Sequence, residues 1–469
     1  MYKRQISGGY NMARDATCSL SAAGDKPNVD PGLVANNVLG DARVTYLPAY
    51  RSPAIDTGQP GCTGTDQLGR PRPTDGDHDF TAECDRGAIE AAAYAPHVFT
   101  VNSAVDVADA AVGDGACQTA VVGQCTLRAA IMEANGGNGP VNITLAAVTY
   151  VLTPALADLH LAGDITVVGQ AGTVIEVNEL IHNGGMYPIT PIVVETSGIL
   201  RMSNVTFRST AYGSTSIRNH GNAQLTGVSV ANEPFDSTSI GIANDGYLTL
   251  TGGTMTRAGI GIRNAAGRKI TVTNVTFDNS YYAGIENAGD AIVAASTFVH
   301  HQGASTDGVL STGGTLSIGR STFTDLVTGL RFTGGEGALA SSTLAGSTNR
   351  NLIVTSGKLT VGNTIIATLG ITPVNCTHPN YSYSAGSNLY SDASCIGSLP
   401  TDRNNTDPLL GPLADNGGPT MTFMPLAGSP AVDTGKGCSG VDQRGRLRPF
   451  DGDGNGTSIC DRGSVERGA

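Results

Sequence analysis

Along most of the chain, apolar and polar residues alternate in short runs that end at glycine or asparagine. In GYLTLTGGTM (246–255), Leu248 and Leu250 share one face and Thr249 and Thr251 the other; RKITVTNVTF (268–277) repeats this with Ile270 and Val272 against Thr271 and Thr273. A period of two is the mark of a half-buried strand. Similar runs at 198–207, 222–230, 290–298, 314–323, 337–344 and 357–366 recur roughly every 20 to 25 residues, the spacing of a solenoid repeat. Four are preceded by SIRN, GIAN, GIRN or GIEN (216–219, 241–244, 261–264, 284–287), so each period holds at least two strands joined at Gly/Asn corners. One such layer cannot cover its apolar face, whereas stacked layers cover one another and pair every strand. Glycine and asparagine at the corners are expected to supply tight or left-handed backbone. The pattern predicts an all-β, right-handed parallel β-helix, against an antiparallel sandwich or a propeller, whose blades need about twice this period.

One stretch breaks the pattern. In CTLRAAIMEAN (125–135), Leu127, Ala130, Ile131 and Ala134 fall at helical spacing, Thr126 stands as N-cap and Gly136 ends the run. A stack of strands exposes unpaired backbone groups at its end. This helix is therefore read as the cap of the first turn.

Composition narrows the class. The 469 residues include 63 glycines, no tryptophan, 5% aromatic and 14% charged residues, with a formal net charge of -12. An acidic chain without clustered Lys and Arg is a poor partner for nucleic acid or anionic membrane. No apolar run is long enough to span a bilayer.

Nine cysteines point to an oxidising, extracytoplasmic setting. Their spacing pairs Cys62 with Cys84, Cys117 with Cys125, Cys376 with Cys395 and Cys438 with Cys460, leaving Cys18 alone. A long repeat accounts for the odd one. Residues 52–90 recur as 429–466; Asp433 follows Asp56, Cys395 follows Cys18 and Pro408 follows Pro31 at one common offset of 377 residues. The counterpart of Cys376 would then lie ahead of Met1. MYKRQ (1–5) resembles the translation of a sequencing-library transposon end and is excluded from fold reasoning. The expectation is a metagenomic or draft-genome fragment of a longer tandem chain, its export signal and anchor lying outside it.

Candidate chemistry is sparse. DGDGNG (451–456) sets Asp451, Asp453 and Asn455 at alternate positions like the first half of a calcium loop, although Arg462 stands where the closing glutamate belongs. DGDHDF (75–80) offers Asp75, Asp77 and Asp79. These six are the candidate ligands, and calcium the only cofactor considered. Asp56 and Asp433, in SPAIDTG and SPAVDTG, are read as acceptors for turn amides. The arginines of DQLGRPRP and DQRGRLRP are expected to pair with carboxylates where a unit closes. Arg208, Asn232, Arg257, Asn279, His301 and Asp325 fall at comparable places in successive periods, but their mixed types read as solvated corners and not as a catalytic column. His300 and His301, being adjacent, point to opposite sides of a strand. Asn142, Asn204 and Asn274 sit in sequon-like triplets and are read as turn residues. No phosphate loop, metalloprotease helix or nucleophile elbow is present.

FTVNSAVDVADAAVGDGACQTAVVGQCTLRAAIMEAN (99–135) resembles the bacterial CSLREA-type domain, with Ala129 in place of its glutamate. NTIIA (363–367), DPLLGPLADNGGPTMTFMPLAGSPAVDTG (407–435), DQRGRLRP (442–449) and CDRGSVE (460–466) resemble the choice-of-anchor Q module. The resemblance spans nearly all of 6–466. It implies a secreted or surface-attached right-handed β-helix with repeats like those of polymorphic outer-membrane proteins, and no assigned activity.

The resulting expectation divides the chain into 1–5, a scar; 6–94, the end of a preceding unit; 95–135, a cap with its helix; 136–375, β-helix turns; and 376–469, a closing disulfide-containing module. The function expected is that of an exported bacterial surface protein, structural or adhesive and not enzymatic. It would be an elongated monomeric unit whose partners are surface glycans or neighbouring cells and proteins. The alternative is a carbohydrate-binding or polysaccharide-degrading β-helix.

Overall fold

A computed structural model describes residues 7–468 apart from 37–44, 78–80, 92–95, 138, 154–155, 157, 178–180, 183–184, 187–189, 233–236, 301–302, 304–305, 371–373, 378–381 and 396–398. The chain divides into two compact units, Met1–Val98 with Gly136–Val141, and Phe99–Asn135 with Asn142–Ala469.

The larger unit is a parallel β-solenoid of about ten turns, its strands stacked into sheets of ten, twelve and eleven strands. A single turn runs through Ile240–Asn244, Tyr247–Thr251 and Thr254–Thr256, and the next through Ile260–Asn264, Lys269–Thr273 and Thr276–Asp278. Register is strict. Ile242 pairs with Ile262, Ile262 with Ile285, Leu248 with Ile270, and Leu250 with Val272. The antiparallel sandwich is thereby excluded.

Three columns of repeated residues line the interior. Phe277, Phe298 and Phe323, from the TF runs, lie at the same position of successive turns with ring centroids 4.6 and 4.5 Å apart and planes within 5°. The strand spacing of a sheet sets this distance, so the rings stack because the backbone does. Beside them run the glycines of the GIxN segments. A Cβ on Gly284 would meet the Phe298 ring at 2.7 Å and the Gly308 carbonyl oxygen at 2.7 Å. The motif keeps glycine there because ring and neighbouring strand leave no room.

The third column is polar. The Asn219 Nδ2 donates to Asn244 Oδ1 at 2.7 Å, Asn244 to Asn264 at 2.9 Å, Asn264 to Asn287 at 2.8 Å, and Asn287 to Ser311 Oγ at 3.3 Å. These residues are fully buried, and the same amides also donate to corner carbonyls such as Tyr247 O and Gly289 O. Burying an amide is tolerable when its groups are paired, and stacking supplies each Nδ2 with an acceptor in the next turn, although Asn219 Oδ1, at the start of the ladder, has no partner. These asparagines do not adopt left-handed backbone. That role falls to another column, where Asn204, Asn274, Ala295, Arg320, Ser341 and Asn363 have φ between 47° and 59°. Each donates its N–H to the following turn, as Asn274 does to Ala294 O at 3.1 Å. Asn204 and Asn274 are thus corner residues, whereas Asn142 lies within the strand Val141–Thr144.

The helix, α1, spans Leu127–Gly136, with Leu127, Ala129, Ala130, Ile131 and Ala134 all buried. The Thr126 hydroxyl accepts the Ala129 N–H at 3.1 Å, the N-cap bond. Asn135 donates to His160 O and accepts from Ala162 N, tying the helix to the strand Leu159–Leu161. Arg128 reaches Asp106 at 2.7 Å, and Glu133 accepts the Gly113 and Gly115 N–H groups. Burial is therefore more complete than one amphipathic face requires, because residues 103–126 cover the outer side.

The last residues do more than close the end. In the eleven-stranded sheet, early strands alternate in burial, but from Thr297–Val299 onward every strand residue is buried on both sides. The polypeptide beyond residue 399 lies against this outer face, where Ala345, Ile365, Ala367, Leu389, Phe423 and Ala431 form a second hydrophobic cluster.

The smaller unit contains the hairpins Leu33–Asn36 with Thr45–Pro48 and Gly64–Thr65 with Pro71–Arg72, and a parallel pair, Met12–Ala13 with Lys26–Pro27.

Two outcomes are expected. Phe298→Ala removes the central ring of the stack and lowers stability by about 3–5 kcal/mol, measurable by chemical denaturation. Ile131→Asp places a charge beneath α1 and produces aggregation or an early loss of β signal on heating; an unchanged monomer with unchanged melting would show that α1 does not seal the stack.

Candidate functional site

The outward charges of the solenoid pair between adjacent turns. Arg208 meets Glu176 at 3.1 Å, Arg263 meets Glu286 at 2.6 Å, Arg331 meets Asp307 at 2.9 Å, and Arg201 contacts Asp164. Of the positions singled out in the sequence, Arg257, Asn279 and Asp325 occupy left-handed corners with φ of 58°, 58° and 51°, and Asn232 is buried. The fourth corner residue is His300 (φ 54°), not His301, which lies outside the described residues. His300 Nδ1 is 3.2 Å from Asp278 and its Nε2 3.8 Å from Asp325. All three side chains are more than a third exposed, so this trio is held weakly and in water.

One groove combines groups of several kinds. Thr196, His220, Asn222, Asp245, Tyr247 and Arg268 line an open cavity of about 360 Å³. His220 Nδ1 stands 3.6 Å from Asp245, and Tyr247 is 61% exposed. An exposed ring beside hydrogen-bonding side chains suits the faces and hydroxyls of a sugar. It holds one carboxylate, where glycosidic cleavage ordinarily needs a facing pair.

The densest polar constellation is in the closing module. The Asp442 carboxylate accepts the N–H groups of Arg444, Arg446 and Glu466 and the Nε of Arg444. Glu466 pairs with Arg448 at 3.0 Å with both side chains buried, and accepts the Asp461 N–H. Asp461 in turn accepts from Asp433 N and Arg467 N. The smaller unit repeats these bonds: Asp66 accepts from Leu68, Arg70 and Glu90, Arg72 meets Glu90 at 3.1 Å, and Asp85 accepts from Asp56 N and Ala91 N. Cys62–Cys84 staples the smaller unit, Cys376–Cys395 and Cys438–Cys460 the closing module, and Cys117–Cys125 the segment ahead of α1, while Cys18 is free and exposed.

The candidate calcium ligands meet partners the sequence did not assign to them. Asp451 and Asp453 converge with Asp433, and Asp75 and Asp77 with Asp56, with one oxygen from each within 4.8 Å of the others. Asp79 lies outside the described residues. Asn455 does not join: its Oδ1 accepts Thr457 N at 2.8 Å and its Nδ2 donates to Asp453 at 2.9 Å. Asp433 accepts from Gly452 and Asp453, and Asp451 from Gly454, Asn455 and Gly456. A calcium shell needs six to eight oxygens. Here three carboxylates converge in each loop, and those of Asp433 and Asp451 also accept backbone N–H groups, which stabilise their negative charge.

Burial is the main cause that pushes Asp461 up to about 6 and Glu466 up to about 7, against the opposing pull of Arg448. In the smaller unit burial likewise pushes Asp56 up to about 7 and raises Asp85 and Glu90. A carboxyl raised by folding takes up its proton in the folded state first. Its contribution is complete below the unfolded value of about 4 and is lost as pH rises through the folded value.

No protein-family model matches the chain, and no curated protein does. The class defined by the fold is the parallel β-solenoid.

Melting is therefore expected to occur at lower temperature at about pH 8 than at about pH 5, with Asp461→Asn flattening that slope; differential scanning calorimetry across the range is the check. Asp433→Ala strips the acceptor from two loop amides and costs about 1–3 kcal/mol. Added calcium is expected to leave the melting temperature unchanged; a rise would assign these carboxylates to a cation.

Proposed function

We propose that this protein is an extracellular scaffold or adhesin of a bacterial surface, a non-enzymatic β-solenoid whose unit begins at a capping helix and ends in a disulfide-stapled module. Four disulfides suggest an extracytoplasmic setting, and among the described residues no helix is long and apolar enough to cross a membrane. The observation that carries the reading is the employment of the motifs. The GIxN asparagines form the interior ladder, the TF phenylalanines the stack, and the DQxGRxRP and CDRG residues the closing network. What recurs in this sequence is spent on maintaining a long regular surface. The motif resemblance to CSLREA-type and choice-of-anchor Q proteins supports the same setting, with tandem units along a longer chain and surface glycans or neighbouring proteins as partners.

The second reading, a carbohydrate-binding solenoid, is favoured by the groove around Tyr247. Incubation with pectins, alginates and glycosaminoglycans distinguishes the two. The scaffold reading expects no new reducing ends or unsaturated uronates, and product formation would overturn it. Should a glycan bind without turnover, Tyr247→Ala is expected to weaken it about tenfold, or about 1.4 kcal/mol, in calorimetric titration.

A further inference from the structure

The two disulfide modules share an internal framework but differ in what covers them. Arg86 donates its Nε to Thr57 Oγ1 at 2.9 Å and its Nη1 to Asn11 O at 3.1 Å; Arg462 makes the corresponding bonds to Thr434 Oγ1 at 2.9 Å and Asn388 O at 2.6 Å. Ser52 and Ser429 donate to Pro31 O and Pro408 O alike, at 2.5 Å. One face of the C-terminal module is spent on the solenoid. Gln443 donates to Thr297 Oγ1 at 2.9 Å and accepts from Thr322 Oγ1 at 2.7 Å, while Ser464 N donates to Thr343 Oγ1 at 3.1 Å. Thr297, Thr322 and Thr343 are outward residues of one register column, each buried by this contact. Phe423 packs beneath them against Ala345, Ile365 and Ala367.

Among the described residues, nothing covers the matching face of the first module to a comparable extent. By the alignment of the two copies, Tyr46 stands for Phe423, Gln67 for Gln443, Ala88 for Ser464 and Leu33 for Leu410. Tyr46 is 56% exposed where Phe423 is 5%, Gln67 and Ala88 are exposed where Gln443 and Ser464 are each 1%, and Leu33 is 46% exposed where Leu410 is partly covered. An aromatic, a leucine and an amide on one hairpin-built face form an anchor of the kind that drives association once covered.

We infer that this face of the first module is a docking surface for the outer sheet of another parallel β-solenoid, one presenting a column of threonine hydroxyls one strand spacing apart above small apolar side chains. The amide of Gln67 bridges two successive hydroxyls, as Gln443 does, and Tyr46 fills the apolar trough alongside. The occupant follows from the C-terminal module, where a matching set, with the glutamine and leucine identical, phenylalanine for tyrosine and serine for alanine, already meets this surface. The inference rests on the comparison of the two modules and is independent of the adhesive reading.

A substitution swap and a binding measurement test it in the full chain. Phe423→Tyr with Ser464→Ala gives the docked module the side chains of the bare one. This double variant is expected to melt within a few degrees of the unaltered protein, whereas Phe423→Asp lowers the transition markedly and restores amide exchange along Thr297–Ala367. If the swap releases the module as Phe423→Asp does, the two faces are not interchangeable and the inference falls. For binding, the probe is the Phe423→Asp chain, whose own column is uncovered, with Ala431→Asp as the alternative should the first not retain its β signal. Fluorescently labelled unaltered chain is expected to bind the probe and not a second unaltered chain. Tyr46→Asp in the labelled chain, which leaves its own melting unchanged, is expected to weaken binding at least tenfold. Equal binding with and without Tyr46→Asp, or no binding to a folded probe, would overturn the proposal.

Discussion

The strands of each solenoid turn take their backbone hydrogen-bond partners from the turns above and below. Strand pairing, the asparagine ladder and the phenylalanine stack are three expressions of that one constraint, in-register parallel stacking. Because neighbours lie one strand spacing apart, a side chain that repeats from turn to turn meets its own kind at contact distance. An amide meets an amide with donor facing acceptor, and a ring meets a ring at 4.6 Å. The same constraint leaves two unsatisfied ends and one outer sheet, and the helix and the closing module deal with these.

The helix and the closing module use different chemistry for comparable tasks. Beneath α1 the contact is mainly apolar, with Ala129, Ala130 and Ile131 pressed into the first turns and a buried Arg128–Asp106 pair holding the flank. The closing module instead brings a network of carboxylates, arginines and backbone amides, with Asp442, Asp461 and Glu466 fully buried. Such a network is costly to desolvate and specifies one geometry. Its backbone-to-carboxylate bonds and its Arg–Glu pair recur in the smaller unit, where Leu68 replaces Arg444 and the bonds of that side chain are absent.

Much of this architecture was legible in the residues themselves. The alternation at Leu248, Leu250, Ile270 and Val272 identified the inward faces, and the helical spacing of Leu127, Ala130, Ile131 and Ala134 located the cap. Part of the logic was not. The GIxN asparagines read as turn formers, yet they have ordinary backbone, and left-handed φ is carried one sheet over at Asn204, Asn274 and even Ala295. Recurrence of an amide at one register was the available signal for the ladder. The role of Thr297, Thr322 and Thr343 could not be read locally, since Gln443 and Ser464 reach them across 121 to 146 residues. In the acidic loops, spacing suggested Asn455 beside Asp451 and Asp453, but the third carboxylate comes from Asp433, which only the fold brings near.

The backfolded module also divides the solenoid into two zones with different freedom to change. Between α1 and Thr297, a whole turn could be duplicated or lost with its ladder rung and its corner intact, since each layer answers only to its neighbours. From Thr297 to Ala367 the outer sheet is matched, hydroxyl by hydroxyl, to a module attached further along the chain, so an added turn there would shift the whole match out of phase. The length of the solenoid can thus be adjusted in steps of one strand spacing, about 4.8 Å, between α1 and Thr297 alone, while the stretch matched to the module keeps a fixed gauge.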